Sequence, residues 1–561
     1  MMSRRNSLII FLVLCCSMAM GLYYARLYNT DNDRLRVTKV SIPAGNHDLS
    51  AILYIPPTAH SNNPVPAVLV THGISNAKET SSCIALEVSR LGFVSLALDL
   101  TGHGGSGGDL GADDPTFGVS TALEYLAGLD YVDSRLLGLV GHSLGAGAVR
   151  GAADRFGVTA VAFLGGGVGG VSESGEDGAL SPTFPPNLLV AVGSHDVLFD
   201  IEKLETTLMP VFDTSAPVVP GDLYGNISSG TLRKLVVSPT IHLLEPVDPA
   251  IVGEVTWWMM RQLTPWRSRS PDAPIYLLRE GANLVAITAF AGLVVSVASL
   301  MKNYVGPTRG IRRQVRISKG RIMLWSFLGL VLFAPVMGAG ALLPFPPLIF
   351  GSSMAWWLLV TGLVGALVMR YPARRVAASG RMLLQELRGS LRTEDVFAAA
   401  LMFLIFYAVA WMAEGYTGLG LMFIVPVFRP LTLRRLAVFP LYVPFTLVYF
   451  LVEGLYMHRY RAEEGRWWLD LLGVVLLRVS PYAVVLFLQY GGMYLLDVRL
   501  LGGFVGFFVE FLWAVVPIFA LTIVWSWWLH RVTGRIWMGA VFNSLVVAWV
   551  SVGLFPFGSF M

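Results

Sequence analysis

The sequence predicts two parts of different class: an α/β domain on a mostly parallel eight-stranded sheet flanked by helices, and an all-α polytopic transmembrane domain. Three observations predict them. Of 561 residues, 54% are hydrophobic and only 14% charged, where a soluble domain carries about 25% charged residues. The apolar residues are segregated: residues 30–265 have a soluble composition, whereas from about 283 to 556 the chain runs through long apolar stretches. Within 30–265, β-rich runs that are sequence neighbours at the start give way to alternating strands and helices, as in a mostly parallel sheet covered on both faces. This composition excludes a disordered chain, a coiled coil and an ordinary soluble protein. A net charge of +4 is too small to point to nucleic acid, and three cysteines cannot make a disulfide framework.

The first element is the apolar run 8–25 behind Arg4 and Arg5, which makes residues 1–29 an N-terminal signal anchor or a signal peptide. Cleavage after Ala19 would suit the signal peptide. Continuation of the run through Tyr24 to Ala25 favours a retained anchor. In the α/β part, 30–265, strands are predicted at 36–42, 48–55, 67–71, 93–99, 136–141, 158–164, 188–193 and 232–237. Helices are predicted at 77–91, 116–129, 144–155, 199–208 and 249–262. A linker, 266–283, leads to the membrane domain, 284–561, with apolar segments at 284–301, 322–342, 348–369, 396–412, 436–457, 468–490, 503–528 and 536–556. Each approaches the roughly 20 residues that span a bilayer. The shorter piece 418–428 could cross, re-enter or extend its neighbour. Basic residues crowd 302–321 and 370–392, which the positive-inside rule assigns to the cytoplasm. That places the α/β domain on the extracytoplasmic side of a multi-pass protein of the cell membrane.

Ligands of open α/β sheets sit beyond the carboxyl ends of the strands, so residues there are the candidates. The string 165–170 matches GxGxxG, but no helix follows to hold a pyrophosphate, and no cofactor is expected. GxSxG occurs twice, around Ser106 and Ser143, a weak signal in a chain with 58 glycines. Context separates the two. Ser106 lies in TGHGGSGGDLG, whereas Ser143 stands between an apolar strand and a helix-forming run. A strand that turns abruptly into a helix lifts the turn residue above the sheet and aims free backbone N–H groups at it. A serine nucleophile needs a base and a carboxylate from later strand ends; Asp196 follows strand 188–193, and His242 follows strand 232–237. Asp200 is the alternative acid and His195 the alternative histidine, while His72 and His103 are read as loop-shaping residues. No motif with metal-ligand spacing is present, so no metal is assigned.

With VTHG (70–73), LDLTGHGGSGG (98–108), GHSLG (141–145), VGSHD (192–196) and IHLLEP (241–246), residues 36–264 resemble the α/β-hydrolase superfamily in its esterase, lipase and dienelactone-hydrolase-like branches. The resemblance implies Ser143 as nucleophile, His242 as general base and acid, Asp196 as its orienting group, and the backbone N–H groups of Leu144 and Ile74 as the oxyanion hole. The resemblance implies a serine hydrolase; with the apolar segments 8–25 and 284–301 tethering it on two sides, the expected function is a membrane-anchored hydrolase cleaving carboxylic esters or thioesters, with a small-molecule or lipid ester as substrate and the bilayer as partner. A serine peptidase with the same triad is an alternative, and so is a transport or sensor protein whose domain only binds a ligand. The interval 165–187 shows no helical periodicity, so an open mouth is expected beside Ser143, bounded by the 165–187 and 210–230 loops.

In the membrane part, Glu453, Arg478 and Glu510 are charges inside apolar segments, where charge is costly and often functional. The plain expectation is that Arg478 pairs with a glutamate of another helix. Residues 530–549 are similar to the last motif region of CAAX-processing and bacteriocin-type intramembrane proteases, with Asn543 where that family has a histidine and the single Glu453 where it has an acidic pair. No second protease site is expected on that pattern.

Overall fold

The computed structural model describes residues 4–111, 114–169, 179–264, 273–301, 317–343, 345–370, 387–459 and 467–558. An apolar helix, α1 (Arg4–Asn29), leads into the sheet. Strands β3 (Val65–Thr71), β4 (Val94–Leu98), β6 (Ala160–Leu164) and β7 (Leu188–Gly193) are buried at every position, as strands covered on both faces must be. The edge strand β1 (Arg36–Ala44) is mostly exposed and pairs antiparallel with β2 (His47–Ile55). With β5 (Val132–His142), β8 (Leu223–Tyr224) and β9 (Arg233–Ser238), the order is β1-β2-β4-β3-β5-β6-β7-β9-β8. From β4 to β9 all neighbours are parallel. All eight predicted strands are present, and β8 adds a two-residue ninth.

Helices α2 (Lys78–Arg90) and α6 (Pro249–Leu263) bury their apolar sides on one face of the sheet. Helices α3 (Val119–Ala127), α4 (Leu144–Arg155) and α5 (Ile201–Thr207) cover the other. This is the α/β-hydrolase fold expected from the sequence. Its order of elements brings the carboxyl ends of β5, β7 and β9 to one edge of the sheet, because the three lie within the run of four neighbouring parallel strands β5-β6-β7-β9.

The rest is helical. It comprises α7 (Tyr276–Met301), α8 (Lys319–Val331), α9 (Phe333–Gly340), α10 (Gly351–Arg370), α11 (Thr393–Thr417), α12 (Leu433–Arg459), α13 (Trp467–Leu496), α14 (Gly503–Glu510), α15 (Leu512–Thr533) and α16 (Ile536–Leu554). Among the described residues, eight helical spans including α1 are long and apolar enough to cross a membrane, or nine if the pair α8–α9, bent by 41°, counts as one. The segment 418–428 does not cross. It forms a hairpin of β10 (Leu421–Phe423) and β11 (Val425–Phe428) that lies against the α/β domain, where Thr80 Oγ1 donates to Ile424 O at 2.7 Å.

The boundary between the parts differs from expectation. The predicted linker 266–283 is already helix from Tyr276, because Glu87 Oε1 of α2 accepts the N–H groups of Ile275 and Tyr276 at 2.8 and 3.0 Å and so caps α7. One turn later the buried Arg279 donates to Asn29 Oδ1 of α1 and Ser82 Oγ of α2, both at 3.0 Å. This polar knot holds α1, α7 and the α/β domain together. At α12, buried Arg435 donates to Gly104 O and Gly102 O at 3.0 Å, to Phe555 O at 2.8 Å and to Val552 O. The opposite helix ends are fastened separately: Ser296 Oγ donates to Ser7 O at 3.2 Å, Trp528 Nε1 to Ser299 Oγ at 2.8 Å, and Arg535 pairs with Asp395.

Candidate active site

The turn from β5 into α4 holds Ser143 at φ 52° and ψ −115°, a region a non-glycine residue occupies only under constraint. Three glycines make the turn fit. A Cβ on Gly141 would lie 2.2 Å from Gly145 O, one on Gly145 2.6 Å from His72 O, and one on Gly166 2.5 Å from Ser143 O. Ser143 N–H donates to Leu164 O at 2.8 Å, tying the turn to the end of β6. The Leu144 N–H opens α4, where first-turn amides have no intrahelical acceptor, and Ile74 lines the same cavity as Ser143.

His242 begins the 3₁₀ turn His242–Val247 after β9 and is 3% exposed. Its Nε2 lies 3.0 Å from Ser143 Oγ and its Nδ1 2.7 Å from Asp196 Oδ2. Asp196 Oδ1 accepts the Leu198 N–H at 2.7 Å, which fixes the carboxylate behind the ring. Thus Ser143, His242 and Asp196 form one hydrogen-bonded chain across three strand ends. Burial works to lower the His242 pKa, but the charge and hydrogen bond of Asp196, with Glu245 and Glu510 adding, outweigh it and raise it to about 9.

The competing residues have other partners. Asp200 caps α5 through the Lys203 N–H, and His195 stacks at 3.7 Å on Tyr494 of α13. Ser106 Oγ donates to Asp99 O at 2.6 Å and accepts the Ser50 N–H at 2.9 Å, so it ties a loop. His72 bridges Gly73 O and the Leu100 N–H. Beside it, Asp99 is held by Lys78 Nζ at 2.5 Å, and although burial opposes it, Lys78, Arg429 and His72 keep its carboxyl well below the usual range. His103 packs edge-on against His72 and stays neutral, its pKa pushed far down by burial and then by His72.

Two neighbours were not singled out from the sequence. Glu245, one turn after His242 in the quoted IHLLEP string, is fully buried. Its Oε1 accepts the Gly193 N–H at 2.7 Å, and its Oε2 lies 3.3 Å from His142 Nε2 and 3.6 Å from His242 Nδ1. Burial drives its pKa well above the usual value. His142 Nε2 lies 3.1 Å from His242 O, and burial, followed by the charge of His242, keeps the ring neutral. His142, His242 and Glu245 are the described group whose ligand atoms come within 4.8 Å of one another. His242 Nδ1 is committed there to Asp196, so a metal would have to displace that bond.

The space beside Ser143 is not the open mouth expected between the 165–187 and 210–230 loops; within them, 170–178 lie outside the described residues. A cavity of about 70 Å³ lies under the helical domain. Gly73, Ile74, Ser143, His242 and Leu243 form one wall, and Val425, Phe507, Glu510, Phe511, Ala514 and Leu554 form the other. The physical reason is the docking of α14, whose Gly503 N–H donates at 2.8 Å to the carbonyl of Val197, the residue directly after the Gly193–Asp196 turn. Glu510, singled out as a charge inside an apolar segment, therefore belongs to this wall, where it accepts the Tyr490 hydroxyl at 3.1 Å. Arg478 has the expected glutamate partner, lying 3.9 Å from Glu453 of α12 and stacked 3.5 Å over Trp325. Glu453 and Asn543 meet through Ser526, whose Oγ donates to Glu453 Oε1 at 2.6 Å and accepts from Asn543 Nδ2 at 2.8 Å.

No protein-family model matches the chain. Among curated proteins, "Uncharacterized protein YcjY" of Escherichia coli is 33% identical over 123 residues, covering 20% of this chain and 40% of that protein. The match thus spans less than half of the relative's length. Among solved structures, an esterase from Pyrococcus furiosus aligns at 14% identity over 42% of this chain and 96% of its own, with a TM-score of 0.32. A dienelactone hydrolase from Anabaena variabilis aligns at 19% identity over 41% and 99%, with a TM-score of 0.29. A bacterial heroin esterase aligns at 15% identity over 41% and 85%, with a TM-score of 0.30.

Proposed function

We propose that the protein is a membrane-anchored serine hydrolase that cleaves carboxylic esters or thioesters at the outer surface of the cell membrane. The observation that carries this reading is the continuous chain from Ser143 Oγ through His242 to Asp196, at 3.0 and 2.7 Å, with the serine in a strained turn. In this reading Ser143 Oγ attacks the carbonyl carbon as His242 Nε2 takes its proton. The Leu144 and Ile74 N–H groups hold the developing oxyanion. The alcohol or thiol leaves with the proton from His242, giving an acyl-enzyme. Water then attacks, again losing its proton to Nε2, and the carboxylic acid departs as Ser143 is reprotonated. The carboxylates around His242 favour its protonated form, which is the state each half-reaction creates.

The outer location is supported by charge. Arg4, Arg5, Lys319, Arg321, Arg388, Arg392, Arg531 and Arg535 belong to helix ends away from the α/β domain, the arrangement that the positive-inside rule assigns to the cytoplasm. The basic stretches 302–316 and 371–386 lie outside the described residues.

The test is fluorophosphonate labelling of the full-length protein in liposomes, followed by turnover of p-nitrophenyl esters, lipid esters and peptidyl amides. We expect labelling and ester turnover in the parent, and neither in Ser143→Ala. Labelling retained in Ser143→Ala would overturn the assignment. Turnover of amides with none of esters would establish the peptidase instead, and a binding-only domain would give no labelling at all.

A further inference from the structure

The wall opposite Ser143 is made by a part of the chain that hydropathy counts as membrane span: the apolar run that includes Phe507, Glu510, Phe511 and Ala514 begins at Val505. Residues 507, 511 and 514 recur at helical spacing and so share one face. Phe507 lies 6.3 Å from the His242 ring and 5.3 Å from Phe511, and Phe511 lies 6.3 Å from Phe555, so apolar rings lead from the reacting atoms along the membrane domain. A lining this rich in apolar side chains gives a polar leaving group little to bond and gives methylenes a surface that shields them from water. The cavity beside Ser143 is small, about 70 Å³, and open on one side, so a long chain continues beyond it. The remainder has to run out over the partly buried Phe511 and Ala514, next to Trp513, which is 42% exposed on the outer face of α15.

We infer that α14 and α15 are the acyl-chain side of the active site, and that the substrate is a long-chain ester whose acyl chain stays in the membrane domain while its carbonyl rises to Ser143. This rests on the hydrolase reading above and gives it a substrate class. It also gives the fusion of the two domains a purpose, since neither part alone completes the site. The chemistry recognised is the long acyl chain on an ester. A membrane glycerolipid and an acylated peptide both present it.

The test uses the full-length protein in vesicles of phosphatidylglycerol and phosphatidylethanolamine. The probe is an alkyl fluorophosphonate with a chain of about twelve carbons and a diazirine at its end. Reaction at Ser143 reports the hydrolase reading, and the site of photocrosslinking reports this inference. Crosslinks within 505–517 or at Leu554 are expected. Labelling of Ser143 with crosslinks confined to 179–187 or 210–230 would overturn the inference and leave the hydrolase reading standing. No labelling would overturn both. In the same vesicles, the ratio of kcat/KM for hexadecanoyl over butanoyl p-nitrophenyl esters should fall at least tenfold in Ala514→Trp, and an unchanged ratio counts against the inference. Turnover of the vesicle phospholipids or of an added palmitoylated peptide identifies the carrier. Turnover of neither, with short soluble esters hydrolysed well, would overturn it.

Discussion

Under the proposed hydrolase reading, Asp196 and the acidic groups beside it set how activity should depend on pH through His242. Burial alone would lower its pKa; Asp196 first, then Glu245 and Glu510, bring it to about 9. A general base must start neutral, so kcat/KM should rise from pH 7, pass its half-maximal value near pH 9 and level off only above that, which a pH–rate profile on a p-nitrophenyl ester would check. A profile already flat at pH 7 would contradict a His242 held protonated by Asp196. Asp196→Asn removes the largest attraction and the tautomer-fixing acceptor together. It should cut kcat by roughly 10⁴-fold and move the acid limb to lower pH. Asp200→Ala should leave both kcat and the limb in place and lose only the cap of α5, about 1 kcal/mol of stability by thermal unfolding.

At the scale of elements, the β5–α4 turn tolerates no added atom. A Cβ on Gly141 would meet backbone at 2.2 Å on a rigid helix start. Gly141→Ala should cost roughly 3 kcal/mol or more, seen as a large fall in melting temperature with loss of fluorophosphonate labelling. The join between domains depends on Arg435, whose guanidinium serves carbonyls of loop 102–104 and of the end of α16. Arg435→Met takes the guanidinium from Gly104 O, Val552 O and Phe555 O, while Gly102 O keeps the Phe557 N–H; each buried acceptor left unpaired costs about 1–3 kcal/mol, and the change should unseat the C-terminal segment that pairs Phe557 with Leu110. Arg434→Ala removes an exposed pair with Asp109, a bond to Gly108 O and a stack on the Phe557 ring, and at this solvent-exposed position should cost roughly 1 kcal/mol, well below Arg435→Met. Comparing the two melting curves in detergent checks the assignment.

Across the whole molecule, helix ends sort into two faces, and the face away from the α/β domain carries the described basic ends of α1, α8, α11 and α15. With that face cytoplasmic, Asp222→Cys on the exposed edge of the α/β domain should react with an impermeant maleimide in intact cells. Lys319→Cys should react only after permeabilisation. The opposite pattern would invert the topology. The same docking that aligns the faces covers Ser143, so access to the site is a property of the assembled chain and not of residues 30–265 alone.

How far the sequence reached depended on the range of the forces involved. Alternation of apolar runs and helical periodicity is local, so each strand and helix of the α/β part was legible within a few residues, with β8 too short to give a period. The spacing of Ser143, Asp196 and His242 was legible because each follows its own strand, and a parallel sheet carries strand ends to one edge whatever lies between. Apolar composition marked every membrane segment, yet could not reveal the bend between α8 and α9 or the break at Phe511, since hydropathy runs through both without interruption. Glu510 could be flagged as a charge in an apolar run, but its place beside His242 required α14 to dock on Val197 O. Likewise Glu87 capping α7 and Arg435 reaching Gly102 join residues hundreds of positions apart, and no local pattern encodes such pairs. Sequence alone therefore determined the two domains and the candidate reacting residues; only tertiary packing decided that the membrane domain closes over them, because burial and docking depend on surfaces assembled from distant segments.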